Sequence, residues 1–183
     1  MKFCRNAVFA FLLLLLVASI SGAAEDWRLT SYDKVEALFI AFNQKEAELL
    51  KQYEPRTAEF YAVFGPYQDA ERKMQRYEFL KQLKENPETI NWTSIWSWAR
   101  SWDTKEQEKL SAEDPAYRAL REEFFAKKEA LKRAKDLTRI RNKEFEKHAE
   151  VFHKLEEILL NDLQAVQAEV DKRMSNTPLE PSR

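Results

Sequence analysis

Apolar side chains return every three or four residues along most of this chain, and past residue 24 the only glycine is Gly65. That interval gathers apolar positions on one face of a helix of 3.6 residues per turn, whereas a sheet needs a period of two and turn residues at each hairpin. The pattern predicts an all-α protein. Prolines punctuate it, since each tends to open a helix or end the one before. A first helix is expected over 31–53, with Val35, Leu38, Phe39, Phe42, Leu49 and Tyr53 on one face. Pro55 kinks or restarts it, and a continuation through Phe60, Tyr61 and Phe64 should stop at Gly65-Pro66. A second is expected over 66–84, presenting Tyr67, Ala70, Met74, Tyr77, Leu80 and Leu83. Asn86-Pro87 should cap a third, which carries Ile90, Trp92, Ile95, Trp96, Trp98 and Trp102, and Thr104 with Gln107 has the form of a capping box for one short turn.

Asp114-Pro115 then places an N-cap residue before a proline at the first helical position. Neither proline nor glycine follows until Pro178. An unbroken helix over 115–174 would be about 90 Å long at 1.5 Å per residue. Its seam has a seven-residue beat: Tyr117, Phe124, Leu131, Thr138, Phe145, Phe152, Leu159 and Val166. The companion seam is interrupted by Lys127, Lys128, Arg141 and His148, so a strict coiled coil is not expected. A bend is expected over 138–142. The architecture read here is an elongated helical bundle with a long coiled-coil-like C-terminal helix. One domain covers 25–174, its aromatic-rich helices in 25–112 and the long helix in 113–174, before a disordered tail, 175–183, with two prolines. Fifteen of the twenty aromatic residues past residue 24 lie before residue 103, which places the densest packing in the first three helices.

The amino-terminal pattern is different. Lys2 and Arg5 precede a charge-free apolar stretch, 7–20, and then Ser21-Gly22-Ala23-Ala24. This is the form of a cleaved export signal over 1–24. The only cysteine, Cys4, falls inside it. A processed chain would have no disulfide, which points to a bacterial periplasm rather than the extracellular space, where small proteins lean on such bridges. Asn91-Trp92-Thr93 fits a glycosylation acceptor, relevant only in a eukaryotic route. Without the leader the chain has 28 Lys+Arg against 31 Asp+Glu, too little basic excess for nucleic acid.

Candidate chemistry is sparse. His148 and His153 are five apart and sit about 140° apart on a helix, so they cannot share an ion. Glu150 and His153 match one half of a carboxylate-bridged metal site, but no second copy of that spacing exists. Neither metal nor cofactor is expected. The serines lack the flanking glycines of a nucleophile elbow, no glycine loop can cradle phosphate, and acidic residues have basic partners one turn away, as in Glu129 and Arg133. No catalytic residue is assigned, and the chain is read as a non-enzyme. Four tryptophans, Trp92, Trp96, Trp98 and Trp102, lie within eleven residues. They serve as core, or, where a stripe stays exposed, as contact for a partner's groove, a membrane interface, a lipid or a glycan. Nine basic residues against four acidic over 121–143 form a local basic stripe that can meet anionic lipid or an acidic partner. The expected function is binding of a protein partner, or self-association, through helical surfaces, with Phe145, Phe152 and Leu159 as the open stripe; an adaptor, an assembly subunit or a holdase-like chaperone would work this way. The alternative is a carrier of lipid or a small apolar ligand, with a void among Phe39, Phe42, Tyr77 and Trp98.

Overall fold

A computed structural model describes residues 26–98 and 103–176, apart from the side chains of Trp96 and Trp98. The protein is an all-α helical bundle, with no strand among the described residues. Helix α1 spans Trp27–Tyr53 and α2 spans Thr57–Glu85. A 3-10 turn at Pro87–Thr89 and a single helical turn, α3, at Ile95–Trp98 follow. The remainder is α4 (Thr104–Glu113), α5 (Pro115–Arg133), α6 (Lys135–Lys147) and α7 (Ala149–Asn176). The leader expected over 1–24 lies outside the described residues, as do 177–183 of the tail.

The reversal between the first two helices falls at 54–56, not at Gly65-Pro66. The Glu54 N–H ends α1 on the Leu50 carbonyl (2.9 Å), and the Glu54 carbonyl accepts the Thr57 N–H (2.9 Å) and hydroxyl (2.7 Å) that start α2. Pro66 sits inside α2. A proline there costs the helix a hydrogen bond and a steric clash, about 3 kcal/mol, and aromatic packing on that stretch offsets it. The rings of Phe60 and Phe64 stack 5.0 Å apart, Phe64 and Tyr67 6.0 Å, and Tyr67 meets Phe124 of α5 at 5.6 Å. The tryptophan-rich segment is likewise no continuous helix, but the 3-10 turn and the one turn of α3. The capping box begins one residue before the expected place: Asp103 accepts from the N–H groups of Lys105 (2.8 Å) and Glu106 (3.0 Å), and Glu106 reaches back to the Asp103 N–H (3.1 Å). Asp114 and Pro115 open α5 as their sequence dictates, the carboxylate accepting from Ala116 (2.9 Å) and Tyr117 (3.3 Å).

The C-terminal stretch is three helices, divided at single residues: Ala134 (φ −85°, ψ 36°) and His148 (φ −116°, ψ 27°). Tertiary contacts make the second break. The His148 ring lies flat on Tyr53 of α1, 3.7 Å away, and its N–H is shared between the carbonyls of Glu144 (3.1 Å) and Phe145 (3.3 Å). Across it Phe145 and Phe152 stack at 4.7 Å, although residues seven apart on a straight helix are separated by about 10.5 Å along the axis.

Pairings along the helices set their directions. Tyr32 stacks on Phe79 (4.1 Å) and Arg76 bridges Asp33 (2.5 Å) and Glu36 (2.9 Å), so α1 and α2 are antiparallel. Tyr117 meets Tyr77 while Phe124 meets Tyr67, so α5 runs back along α2. His148 meets Tyr53 while Glu169 pairs with Lys34, so α7 runs back along α1. The four long helices form a row, α7–α1–α2–α5, and α6 crosses the α1–α2 hairpin end. Two cores result. One joins Tyr32, Val35, Phe79, Ile90, Trp92 and Ile95 to Leu163, Val166 and Val170. The other joins Ala70 and Met74 to Leu110, Tyr117 and Phe124.

Candidate functional site

Among the described residues, most of the large apolar side chains that stay exposed belong to α7. Ile158 is 59% exposed, Leu160 47% and Val151 38%. At 100° per residue Val151, Leu155 and Ile158 share one flank of the helix, beside the inward-facing Phe152, Leu163, Val166 and Val170. Across the groove on that flank α1 contributes Leu38, Ala41, Phe42 and Lys45, with Leu159 on the floor and Asp162 at the rim. A second hollow follows the other flank, where Leu160 and Leu163 lie beside His153, Glu156 and Glu157, and Phe42 lines both. His153 Nδ1 is 3.0 Å from the Glu156 carboxylate. Burying an apolar side chain fully is worth about 1.5–3 kcal/mol, so each one left at the surface is stabilisation the monomer forgoes.

The residues singled out in the sequence separate on this map. Leu159 is half-buried and lines both hollows. Phe152 is 1% exposed, closed over by Phe145 and by Tyr53 (6.5 Å), so it is core and not an open stripe. Phe145 is half-buried and covered by the Arg141 guanidinium, 4.6 Å from the ring. Trp92 is 6% exposed and packs on Trp27 (5.4 Å) and Phe79 (6.1 Å), while its carbonyl accepts from Gln167 of α7 (3.0 Å). Trp96 and Trp98 lie on α3 with side chains outside the described residues, and Trp102 lies outside them altogether. The flank residues Val151, Leu155 and Ile158 were missed. Their signal is present: seven of the thirteen residues over 151–163 are apolar, more than a single seam can bury.

Charged groups elsewhere are committed to holding helices together. Glu78, 1% exposed, accepts from the Tyr117 hydroxyl and from Gln107 (3.0 Å), tying α2 to α4 and α5. Burial, reinforced by that carboxylate, holds the Tyr117 phenol well above its ordinary range. Glu46 is buried between the Tyr61 hydroxyl (2.6 Å) and Arg141, tying α1 to α2 and α6, and Tyr61 is pushed upward by burial and then by this hydrogen bond. The basic stripe is partly neutralised in the same way, Arg141 on Glu46 and Lys132 on Glu129 (2.8 Å), while Lys128 keeps its charge over the Phe124 and Phe125 rings.

A cleft of about 290 Å³ lies between α1 and α2, with Tyr32, Val35, Phe39 and Ile40 as its apolar side. Of the residues expected around a ligand void, Phe39 lines this cleft, Phe42 faces α7 and Tyr77 packs against α5, while the Trp98 side chain lies outside the described residues. Arg72 at its rim pairs with Asp69 (2.5 Å) and Glu36 (3.6 Å), and Glu71 accepts from Tyr67 (2.8 Å). Among the described residues no three His, Cys, Asp or Glu side chains gather as metal ligands, and no helix is long and apolar enough to cross a membrane. The chain matches no known protein family, no curated protein and no solved structure.

Proposed function

We propose that this is an exported, non-enzymatic helical protein that works by docking another polypeptide on the α1–α7 face. The observation that carries the reading is the flank of α7, where Ile158 stands 59% exposed between Val151, Leu155 and the groove residues of α1. Contiguous apolar surface with a charged rim is the usual form of a protein contact. An amphipathic helix laid in such a groove is read at i, i+3, i+4 and i+7, the spacing of Val151, Leu155 and Ile158. Commitment of the buried Glu46 and Glu78 carboxylates to tyrosine and arginine partners favours binding over acid–base chemistry, which requires carboxylates with separated environments in a cleft. Export rests on the leader pattern over 1–24, and the absence of cysteine beyond it favours the periplasm over the extracellular space.

A photoreactive side chain placed at Ile158 in cells should crosslink a discrete protein species, and one placed at Glu122 on α5 should not. Equal labelling from both positions, or none from Ile158, rejects the reading. The second reading, a carrier of a small apolar ligand, is favoured by the α1–α2 cleft alone. Mass spectrometry of organic extracts from the purified protein decides it: a stoichiometric lipid or small molecule, lost in Ile40→Arg, would put the carrier first.

A further inference from the structure

We infer that the polypeptide docking on this face is a second copy of the same chain, its α7 lying antiparallel to the first about a two-fold axis at Ile158. The inference rests on the α1–α7 face being a docking surface, and it names the occupant. Val151, Lys154, Leu155, Ile158, Asn161, Asp162 and Ala165 occupy one arc of α7 about 120° wide. All but Leu155, which is half-buried, are exposed. A two-fold axis through Ile158 sets that residue against itself, Val151 against Ala165, and Lys154 against Asp162. An isologous contact requires such self-complementarity, each patch meeting its own image.

The charges point to this partner. Lys154 lies at one end of the stripe and Asp162 at the other, and neither has an ion pair or hydrogen bond among the described residues. Of the neighbouring charged residues, Glu144 pairs with Lys147 (3.3 Å) and Glu156 with His153 (3.0 Å), whereas Glu150 and Glu157 fall outside the arc. A parallel arrangement would oppose like charges, whereas the antiparallel one forms the Lys154–Asp162 pair twice. The stripe from 151 to 165 is about 21 Å long at helical rise, so the contact is small beside the roughly 800 Å² per partner of a standard interface. The dimer is accordingly weak and reversible.

Sedimentation equilibrium of the purified chain from about 10 µM to about 1 mM reads it directly. Lys154→Asp and Asp162→Lys should each weaken association about tenfold, and the double exchange should restore it to within about threefold. Both positions are solvent-facing, and circular dichroism checks that the variants remain helical. A monomer throughout that range, or a dimer indifferent to all three variants, overturns the inference. The crosslinker at Ile158 separates the two levels. A product at twice the chain mass supports the second copy. A product with a different protein rejects it and leaves the docking face standing. No product, with a strict monomer, rejects both.

Discussion

Gly65 and Tyr117 show how differently two side chains of one bundle bear on stability. Gly65 lies in the interior of α2 just before Pro66, and beyond its chain neighbours and its own helix turn a Cβ added there would meet nothing within 4 Å. Glycine costs a helix interior about 0.5–1 kcal/mol relative to alanine. Pro66 opposes helical backbone in a preceding residue that carries a Cβ, so Gly65→Ala should raise stability by less than about 0.5 kcal/mol, read as a small rise in the urea midpoint with an unchanged slope. Tyr117 gives the opposite sign. Tyr117→Phe keeps the ring in its fully buried slot but removes a donor from the buried Glu78 carboxylate. An unmade bond to a buried polar group costs about 1–3 kcal/mol, and the loss should appear in the same titration. At this scale the chain was legible: of the seven-residue beat, Tyr117, Phe124, Phe152 and Val166 are all buried, through both helix breaks. Exposure was not. Nothing in the tryptophan spacing told that Trp92 would be core, because area alone does not say which neighbour arrives.

At the scale of elements, local chemistry was readable and tertiary chemistry was not. Asp114-Pro115 opens a helix because its side chain and missing N–H act within one turn. Asp114→Ala should cost about 1 kcal/mol from the cap, with more from the Tyr77 hydroxyl that also donates to this carboxylate. Thermal melting followed at 222 nm checks it. Pro55 and Pro66 look alike in sequence, yet only the first stands at a reversal. The difference lies in the aromatic row that packs beside Pro66, including Phe124 from a helix 58 residues further on. The breaks at Ala134 and His148 contain neither Pro nor Gly. His148 is held out of the helix by the Tyr53 ring, a partner no window of local sequence contains.

For the whole molecule, ionisation sets the range of pH over which the bundle holds. Asp69, Asp114, Glu129 and Glu169 are kept below ordinary carboxylate values, chiefly by hydrogen bonds from Lys73, Tyr77, Lys132 and Lys34. A lowered folded-state value contributes stability that is present above the unfolded values of 3.8 and 4.5 and is lost as pH falls through the folded ones. The phenols run the other way. Burial foremost raises Tyr32, Tyr61, Tyr67 and Tyr117, Tyr67 to about 12, so their contribution is complete below 10.0 and is lost above it. Urea midpoints should be flat between about pH 5 and pH 9 and fall on both sides. The acid limb should be the shallower and should flatten in 1 M salt, because those carboxylates lie at the surface, where solvent and ions screen them.

The pairing of α1 with α7 has a consequence for the order of events during synthesis. Lys34 and Glu169 are 135 residues apart in sequence, so α1 leaves the ribosome well before α7 and waits for it. Until then Leu38 and Phe42 have no cover from Leu155 and Leu159. A nascent chain stalled before residue 149 should accordingly bind a hydrophobic dye, and release from the stall should quench it. Late closure of this kind keeps a polypeptide threadable until the distant partner helix has been made.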